Sequence, residues 1–403
     1  MTFGVYIHVP FCATRCGYCD FNTYTLTELG SPWEGQPATE VYLAALAREL
    51  ALAARETAAE GTWDGNPVDT VFVGGGTPSL LGAAGLTRVL AAVRSTFGIA
   101  PTAEVTTESN PESTSPEFFA GIREAGFTRV SLGMQSIAPH VLAVLERTHT
   151  PGRAIAAATE AEAAGFEHIN LDLIYATPTE TDDDVRASVE AAVSTGIDHL
   201  SAYSLIVEPG TRLARRISHG ECAPESTELE DIMARRYELI DELLTGAGFG
   251  WYEVSNWAKP GGECRHNLGY WRSDPWWGAG PGAHSFLTSP ASDGDSKRRG
   301  FSRRFFNVKH PRVYADLLLN QGTLPIQESE TLTETERYEE QLMLGLRLRE
   351  GIPLDLVRPS AMDQVNAYIR AGLLETFPAA LGLRLRVSDA GRLHADGIVV
   401  DLL

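Results

Sequence analysis

The sequence predicts an α/β fold of six strand–helix units, followed by a smaller α+β domain. In the first half of the chain, a short apolar strand repeatedly ends in a polar or glycine-rich turn, and a helical stretch follows. Parallel strands need such crossovers, so this alternation predicts a parallel sheet covered by helices, either open or closed into an incomplete (β/α)6 barrel. The predicted strands are residues 5–9, 70–74, 104–108, 129–133, 169–174 and 200–205, and the predicted helices are residues 39–59, 86–97, 116–125, 152–164, 182–195 and 228–247.

Polar and glycine residues follow these predicted strands, at the end of the sheet where ligands of such folds bind. The strand ends carry cysteines after residue 9, a glycine run at 74–76, Glu108 before an Asn-Pro pair, and Gln135. The fifth strand also carries Asn170 and Asp172 within an otherwise apolar run. Buried polar groups cost free energy unless they are satisfied, so their convergence on one end predicts a shared ligand.

The most specific motif is the cysteine spacing Cys12-x3-Cys16-x2-Cys19. Three thiolates can hold three irons of a [4Fe–4S] cluster, for which cysteine is the usual ligand. The fourth iron then has no nearby protein ligand and is open to a bidentate small molecule, such as the amino and carboxylate groups of a methionine. The motif therefore predicts a cluster with an open coordination site.

A structural zinc site is the alternative use of these thiols. Structural zinc is held by four ligands that usually come as two pairs, and only Cys16 and Cys19 have the Cys-x2-Cys spacing here. The remaining cysteines, Cys222 and Cys264, form no second pair. Five cysteines, three of them within eight residues, are also a poor disulfide framework, so the cluster is favoured.

Charge and hydropathy exclude other classes of protein. The formal net charge is −20, which disfavours nucleic acid as a partner because phosphate binding needs a basic face. No apolar run is long enough to span a membrane, and the N-terminus shows no signal-peptide core, so we expect a cytoplasmic protein. One basic cluster stands out, at Lys297, Arg298, Arg299, Arg303 and Arg304. A solvated loop or a contact with carboxylates or an anionic membrane surface can each explain it.

The residue composition and pattern change twice along the chain, which predicts three units. These are 1–225 as the core, 226–305 as an aromatic extension, and 306–403 as a C-terminal domain. The extension contains a strand-like segment at 251–254 and a tryptophan-rich stretch between 264 and 285. In the last unit we expect a helix over 333–349, capped at Thr333 with Glu336, and a two-stranded wing formed by 383–387 and 390–394. This pattern resembles a small winged-helix module, and its excess of acidic residues favours a structural or protein-contact role.

The cysteine motif, with Tyr18 before its third cysteine, resembles the signature of the radical S-adenosylmethionine (SAM) superfamily. The preceding run from Tyr6 to Phe11 is similar to the branch that contains oxygen-independent coproporphyrinogen III dehydrogenases and HemW-type haem chaperones. The resemblance covers nearly the whole chain and implies a partial (β/α)6 radical SAM barrel with a small C-terminal winged-helix-like α+β domain. In this family the cluster reduces SAM to methionine and a 5′-deoxyadenosyl radical, while the protein orients the cofactors.

The resemblance also assigns roles to residues at the strand ends. Residues expected to bind the cluster are Cys12, Cys16 and Cys19, and residues expected to contact SAM are Tyr6, Tyr18, Gly75, Gly76, Thr77, Glu108, Gln135, Arg147 and Asp172. Gly76 and Thr77 match positions beside a second SAM in the dehydrogenase. Taken singly, Arg147 is typical of a helix surface and Asp172 of a capping or ion-pairing residue, and their joint spacing with Glu108 favours the SAM role.

Two functions stay open within this resemblance. One is an enzyme that oxidatively decarboxylates coproporphyrinogen III, and the other is a chaperone that carries haem to membrane haemoproteins, with no catalytic residue assigned. The pattern of the dehydrogenase is Cys-x3-Cys-x2-Cys-x-Cys, with a fourth cysteine two positions after the third. In this sequence Phe21 occupies that position, so the resemblance favours the chaperone. The HN-x-x-YW motif of the chaperone branch is present as His266, Asn267, Tyr270 and Trp271, and the resemblance implies haem binding there.

The axial ligand of that haem is open among His266, Tyr270 and Cys264, since imidazole, phenolate and thiolate all serve haem iron. A structural histidine and a plain aromatic core are the alternatives for this segment. An electron-transfer iron–sulfur protein would normally bring a fourth cluster thiolate, and it leaves the SAM-like strand ends unexplained.

Overall fold

The computed structural model describes residues 2–30, 33, 35–147, 149–222, 229–289 and 301–403. The strands are β1 Gly4–Val9, β2 Phe11–Cys12, β3 Tyr24–Thr25, β4 Val68–Gly75, β5 Ile99–Ser109, β6 Arg129–Gln135, β7 His168–Tyr175, β8 His199–Ser204, β9 Gly250–Glu253, β10 Asn256–Ala258, β11 Trp276–Ala279, β12 His284–Ser289, β13 Phe301–Asn307, β14 Ile326–Leu332, β15 Ile352–Pro353, β16 Leu374–Ala379 and β17 Gly382–Val387. The helices are α1 Leu26–Leu29, α2 Ala38–Glu60, α3 Gly82–Thr96, α4 Pro116–Ala125, α5 Pro139–Val144, α6 Arg153–Ala163, α7 Asp182–Ser194, α8 Arg212–Ser218, α9 Leu229–Gly246, α10 Arg265–Trp271, α11 Pro311–Asp316, α12 Glu334–Gly345, α13 Met362–Arg370 and α14 Ala395–Leu402.

The core is a partial (β/α)6 barrel, as the sequence predicts. Strands β1, β4, β5, β6, β7 and β8 are parallel neighbours in chain order. Helices α2, α3, α4, α6 and α7 cross over between consecutive strands. The carboxyl ends of these strands therefore all lie at one end of the barrel. The sequence predicts the ligand-binding residues at this end.

Alternation along β1 shows how the barrel sorts its residues. Val5, Ile7 and Val9 are fully buried in the main hydrophobic core, whereas Tyr6 and His8 form contacts with each other on the opposite face. Successive strand side chains point to opposite faces, so the apolar set packs under the helices and the polar set faces the barrel interior. This separation places ionisable groups inside the barrel without breaking the apolar layer around it.

The sheet continues beyond the barrel on both sides. β11 pairs in parallel with β1, and β12, β13 and β14 follow as antiparallel neighbours. On the other side, β10 pairs with β8 and β9 with β10. Residues 250–332 thus widen one sheet, and the predicted domain boundaries at 225 and 305 stay predictions.

A buried carboxylate joins α2 to this extension. Glu49 is fully buried and accepts hydrogen bonds from the backbone N–H of Gly280 at 2.8 Å, from Asn307 Nδ2 at 2.7 Å and from the Tyr314 hydroxyl at 2.5 Å. Burial raises its pKa to about 7, and the donors oppose that rise. These bonds fasten the extension to the barrel next to β1.

The C-terminal unit contains α12 to α14 and the small sheet of β15, β17 and β16. The predicted cap is confirmed: Thr333 and Glu336 form a reciprocal capping box at the start of α12. The helix ends at Gly345, four residues before its predicted end at 349.

The predicted wing is wrong in one of its two strands. Segment 383–387 is a strand, but it pairs with the preceding β16 in a hairpin, and Gly382 adopts the positive φ of 120° that follows the turn. Residues 389–394 form a short 3-10 helix instead of the second strand. The Ser388 side chain accepts the N–H of Gly391 and starts that helical turn, a local bond that competes with strand formation.

Candidate functional site

One cavity of about 450 Å³ lies at the carboxyl ends of the barrel strands. This volume is within the range of small-molecule sites. Its lining contains all three cysteines of the motif together with Tyr18, Gly75, Gly76, Thr77, Glu108, Gln135, Arg147 and Asp172. The structure therefore brings together every residue expected to bind the cluster or SAM, except Tyr6.

Tyr6 lies within the barrel, next to this set. Its hydroxyl is 3.1 Å from His8 Nδ1, and its ring centroid is 6.2 Å from that of Phe72. His8 Nε2 is 2.9 Å from the carbonyl oxygen of Asn22, which must accept, so Nε2 carries the hydrogen and Nδ1 accepts from Tyr6. Tyr6 is thus connected through His8 to the loop that carries the cysteines.

The cysteine loop is held by bonds to several elements. Asn22 Nδ2 donates to the carbonyl oxygens of Pro281 and Lys309, each at 2.9 Å, which ties the loop to the extension. The backbone N–H of Gly17 donates to Leu145, and Leu213 N–H donates to the Gly17 carbonyl. The loop is therefore anchored from both sides of the barrel before any cofactor binds.

The three thiols of the motif are available to bind metal. All three cysteines are free and partly exposed to the cavity. Burial raises the pKa of the Cys12 and Cys19 thiols, whereas iron binding removes their protons. Throughout the described ranges, no group of three or more His, Cys, Asp or Glu side chains is arranged to hold a metal ion.

The glycine run brings backbone close to the cavity. Gly75 has φ of 105°, and a Cβ atom there would lie 2.5 Å from the His8 ring. A Cβ at Gly76 would lie 2.5 Å from the Phe11 carbonyl oxygen. Only glycine fits both positions, because any side chain would collide with the strand that leads into the cysteine loop.

Two partly buried carboxyl groups face the cavity. Glu108 accepts the N–H of Gly75 at 2.9 Å, and its pKa is raised to about 8, first by burial and then by the charge of Asp172. Asp172 accepts from Ser131 Oγ at 2.8 Å and from Asn170 Nδ2 at 2.7 Å. Burial also raises the pKa of Asp172, but its hydrogen-bond donors and the charge of Arg147 oppose that rise.

Arg147 brings a guanidinium to the same cavity. Its Nη1 lies 3.3 Å from Cys16 Sγ, and its Nη2 lies 3.3 Å from the Gly133 carbonyl oxygen. Its buried Nε has no hydrogen-bond partner among the described residues. Gln135, at the end of β6, has φ of 66°, a strained backbone for a residue with a side chain, and such strain clusters at ligand sites.

These groups complement a small molecule that carries both charges. The carboxyl groups suit a cationic sulfonium or ammonium group, and the guanidinium suits a carboxylate. SAM carries all three. The groups that line the cavity are therefore compatible with SAM.

The segment expected to bind haem lies away from this cavity. Residues 265–271 form α10, which packs against the amino ends of β1 and β4 through His266. His266 is 3% exposed; its Nδ1 lies 2.8 Å from Thr70 Oγ1, and its Nε2 lies 2.8 Å from the Tyr270 hydroxyl. Burial lowers its pKa to about 4, so the imidazole is neutral.

The other residues of the expected haem-binding segment differ in how they pack and in how exposed they are. Tyr270 packs edge-on against Trp276, with ring centroids 4.6 Å apart. Asn267 and Trp271 are partly exposed, whereas Cys264 is buried, and burial raises the pKa of its thiol well above the usual range. The structure groups these residues at the barrel end opposite the cysteines, and their role in haem binding stays a prediction.

Several residues that line the cavity were not identified from the sequence. Ser131, His149 and Tyr203 line the cavity, although none belongs to a recognisable motif. Ser131 could have been found because it lies two residues before Gly133 on the same strand face, and Tyr203 because it is the penultimate residue of the sixth parallel strand.

The basic cluster is only partly described. Lys297, Arg298 and Arg299 lie outside the described residues. Arg303 pairs with Glu60 at 2.9 Å, and Arg304 pairs with Glu330 at 2.8 Å and with Glu340. Within the described ranges, no helix is long and apolar enough to cross a membrane.

Sequence comparisons agree with this geometry. The pattern of the radical SAM superfamily matches residues 6–192, and that of the HemN C-terminal domain matches residues 332–394. The protein named "Heme chaperone HemW" of Mycobacterium tuberculosis strain H37Rv is 53% identical over 401 residues, covering 100% of this chain and 95% of that relative. Proteins of the same name from Escherichia coli K12 and Bacillus subtilis 168 are 34% and 33% identical, and each comparison covers 87% of this chain and 84% of the relative.

A solved structure shows the same fold. The coproporphyrinogen III oxidase HemN of Escherichia coli, described as a radical SAM enzyme, superposes with a TM-score of 0.78 at 20% identity, over 100% of this chain and 90% of that one. At this identity the likeness establishes the fold and leaves the reaction open.

Proposed function

The chain belongs to the heme chaperone HemW family of the radical SAM superfamily, and on that premise we propose that it binds haem as cargo and delivers it to haemoproteins. Its core would hold a [4Fe–4S] cluster on Cys12, Cys16 and Cys19, with SAM in the adjoining cavity. The observation that carries the proposal is the full-length similarity to relatives of that name, together with the cavity that joins the three cysteines to the SAM-type residues.

Each cavity group has a definite task in this proposal. The thiols hold the cluster, and the close backbone at Gly75 and Gly76 leaves room for SAM beside it. Glu108 and Asp172 neutralise the positive charge of SAM, while Arg147 binds both a cluster thiolate and the ligand. A reduced cluster, when bound, would supply the electron for SAM cleavage.

Phe21 separates this proposal from the dehydrogenase alternative. Its side chain is 59% exposed and lines the cavity. It stands at the position of the fourth cysteine in the pattern of the dehydrogenase. A phenyl ring there can neither ligate iron nor supply a redox thiol. The experiment is to supply reconstituted protein with coproporphyrinogen III, SAM and reductant: the proposal expects no conversion to protoporphyrinogen IX, and conversion at many turnovers would contradict it.

We further propose that haem is ligated within the 266–271 segment. The neutral imidazole of His266 is ready to bind iron without losing a proton, but both of its ring nitrogens are already hydrogen-bonded. Haem ligation by His266 therefore requires that Tyr270 or Thr70 release its bond. The buried Cys264 is a poorer candidate, because forming its thiolate is costly there.

Delivery to membrane haemoproteins implies contact with a membrane, which we propose to involve the basic cluster. Two members of the cluster, Arg303 and Arg304, also pair with glutamates. The test is cosedimentation with anionic liposomes, in which replacement of all five basic residues by serine should weaken binding. Equal binding by this variant and by the unmodified protein would contradict the proposal.

A further inference from the structure

A row of buried residues crosses the barrel just below the cavity. In the register of the parallel strands, Ser131 pairs with Asn170, and Asn170 pairs with His199. Two residues nearer the cavity, on the same strand face, Gly133 pairs with Asp172 and Asp172 with Ser201. Asp172, which lines the cavity, therefore rests on a layer whose central member is the amide of Asn170.

The amide of Asn170 can satisfy its neighbours in only one orientation. Its Nδ2 lies 2.7 Å from Asp172 Oδ1, 2.8 Å from Ser131 Oγ and 2.9 Å from Ser201 Oγ. Its Oδ1 lies 2.6 Å from His199 Nδ1. A reversed amide would set its oxygen against the Asp172 carboxylate and its NH2 against the imidazole, which would place two acceptors in contact.

The hydrogen position on His199 follows from the orientation of Asn170. Asn170 Oδ1 can only accept, so His199 Nδ1 carries the hydrogen. His199 Nε2 lies 2.7 Å from the Tyr252 hydroxyl, whose oxygen accepts the backbone N–H of Cys264 at 3.3 Å, and in a neutral ring Nε2 accepts the hydroxyl hydrogen. Burial, assisted by the charge of Arg129, lowers the pKa of His199, so the ring is neutral and its single hydrogen is on Nδ1.

The hydrogen bonds therefore run in one direction, from the N–H of Cys264 through Tyr252, His199 and Asn170 to the carboxylate of Asp172. The carboxylate at the end of this line fixes the orientation of the Asn170 amide, and the amide oxygen in turn fixes the hydrogen on His199. Successive bonds of this kind polarise and strengthen one another in a buried setting.

We propose that His199 is a positioning residue of the SAM site, which fixes the amide of Asn170 so that Asp172 presents an ionised carboxylate to the cavity. The inference rests on the proposed SAM site and adds a residue that contacts neither the cavity nor any motif. Four other titratable groups interact electrostatically with Asp172: Glu108, Arg147, Tyr18 and Tyr203. Among the described residues, none of these four is hydrogen-bonded to His199.

The test compares SAM affinity of cluster-reconstituted variants by equilibrium dialysis. His199→Leu removes the donor to Asn170, and we expect SAM binding about tenfold weaker, a loss typical of a bond that supports a charged group. His199→Asn can present an amide N–H in place of Nδ1, and we expect at least part of the affinity to return. The pH profile is a second readout: in His199→Leu, SAM binding should gain an additional dependence on proton release, because Asp172 loses its fixed donor.

His168→Leu is the matched control. It removes a strand histidine whose Nδ1 lies 2.6 Å from the carboxylate of Asp198, outside the line of hydrogen bonds to Asp172. We expect its SAM affinity to equal that of the unmodified protein. Equal affinity of His199→Leu and the unmodified protein, or equal weakening by His199→Leu and His168→Leu, would overturn the proposal.

Failure of the proposed SAM site and failure of the inference about His199 give different results. If the unmodified protein binds no SAM, the proposed SAM site itself fails. If His199→Leu does not fold, as judged by circular dichroism, Tyr252→Phe decides, because it removes the hydroxyl that donates to His199 Nε2 and keeps the aromatic ring. Weaker SAM binding by Tyr252→Phe supports the proposal, and unchanged binding overturns it.

Discussion

Nη1 of Arg147 lies 3.3 Å from Sγ of Cys16, although 131 positions separate the two residues in the chain. The first residue is an expected SAM contact and the second an expected cluster ligand. Arg147 also donates to the Gly133 carbonyl, and its buried Nε has no partner among the described residues. One side chain thus connects the two parts of the site.

This connection predicts that Arg147→Gln weakens SAM binding by about tenfold to a hundredfold, because hydrogen bonds to charged groups are among the strongest in proteins. Arg147→Lys should recover only part of the loss, since an ammonium cannot replace the planar guanidinium. Equilibrium dialysis with reconstituted protein measures both. Arg153→Gln, which removes an ion pair with Glu160 on α6, is the control, and an equal loss in that variant would contradict the assignment.

SAM binding should depend on pH through Glu108. The pKa of this carboxyl is raised to about 8 in the free protein, so at pH 6 it is protonated and gives the cationic ligand no charge. Affinity should therefore rise as the pH increases from 6 to 8 and level off above that, with about one proton released per SAM bound near pH 7. Calorimetry in buffers of different ionisation enthalpy measures the proton release.

Glu108→Gln is the matching variant for this prediction. It should bind SAM more weakly at pH 8.5, and between pH 6 and 8 its affinity should change much less than that of the unmodified protein. A pH profile that stays as steep in Glu108→Gln would assign the dependence to another group.

Asn22 should control how well the cysteine loop retains its cluster. Both of its amide hydrogens are directed at carbonyl oxygens, those of Pro281 and Lys309. Asn22→Asp has almost the same shape but would place a carboxylate against these two acceptors. We expect iron and sulfide content after reconstitution to fall and bleaching in air to accelerate, more than in Asn22→Ala.

The control for this comparison is Asn66→Asp, at an exposed turn bonded to Asp64. It changes the net charge by the same amount, away from the cysteine loop. Equal cluster retention in Asn22→Asp and Asn66→Asp would show that the bonds to the extension are dispensable.

Tyr270→Phe should distinguish the haem ligands. If His266 ligates haem, this change removes the hydrogen bond that occupies Nε2 and leaves the ring in place, so haem should bind about fivefold tighter. His266→Ala should abolish the specific Soret shift. Loss of haem binding in Tyr270→Phe with retention in His266→Ala would instead identify the phenol as the ligand.

Much of the fold follows from local sequence signals. Strand–helix alternation predicts the barrel, and the polar residues at its strand ends meet because parallel strands place their carboxyl ends together. The Thr333 cap was also predictable, since a capping box involves residues three apart. The error in the wing arose where Ser388 makes a local hydrogen bond that the strand pattern does not reveal.

Long-range contacts explain what the sequence did not predict. Glu49 reads as an ordinary charged residue of α2, but the extension supplies its donors from positions more than 200 residues away. His199 likewise gains its role only from Asn170 and Tyr252, which come from different strands. The motif at 266–271 identified the segment but not its burial against β1 and β4.

The central claim, that the protein carries haem, is tested most directly by titrating haem into anaerobically reconstituted protein and following the Soret band. The account predicts saturable binding near one haem per chain, with a spectrum that changes in His266→Ala while the iron–sulfur content stays the same. Absence of saturable binding by the unmodified, cluster-loaded protein would contradict it.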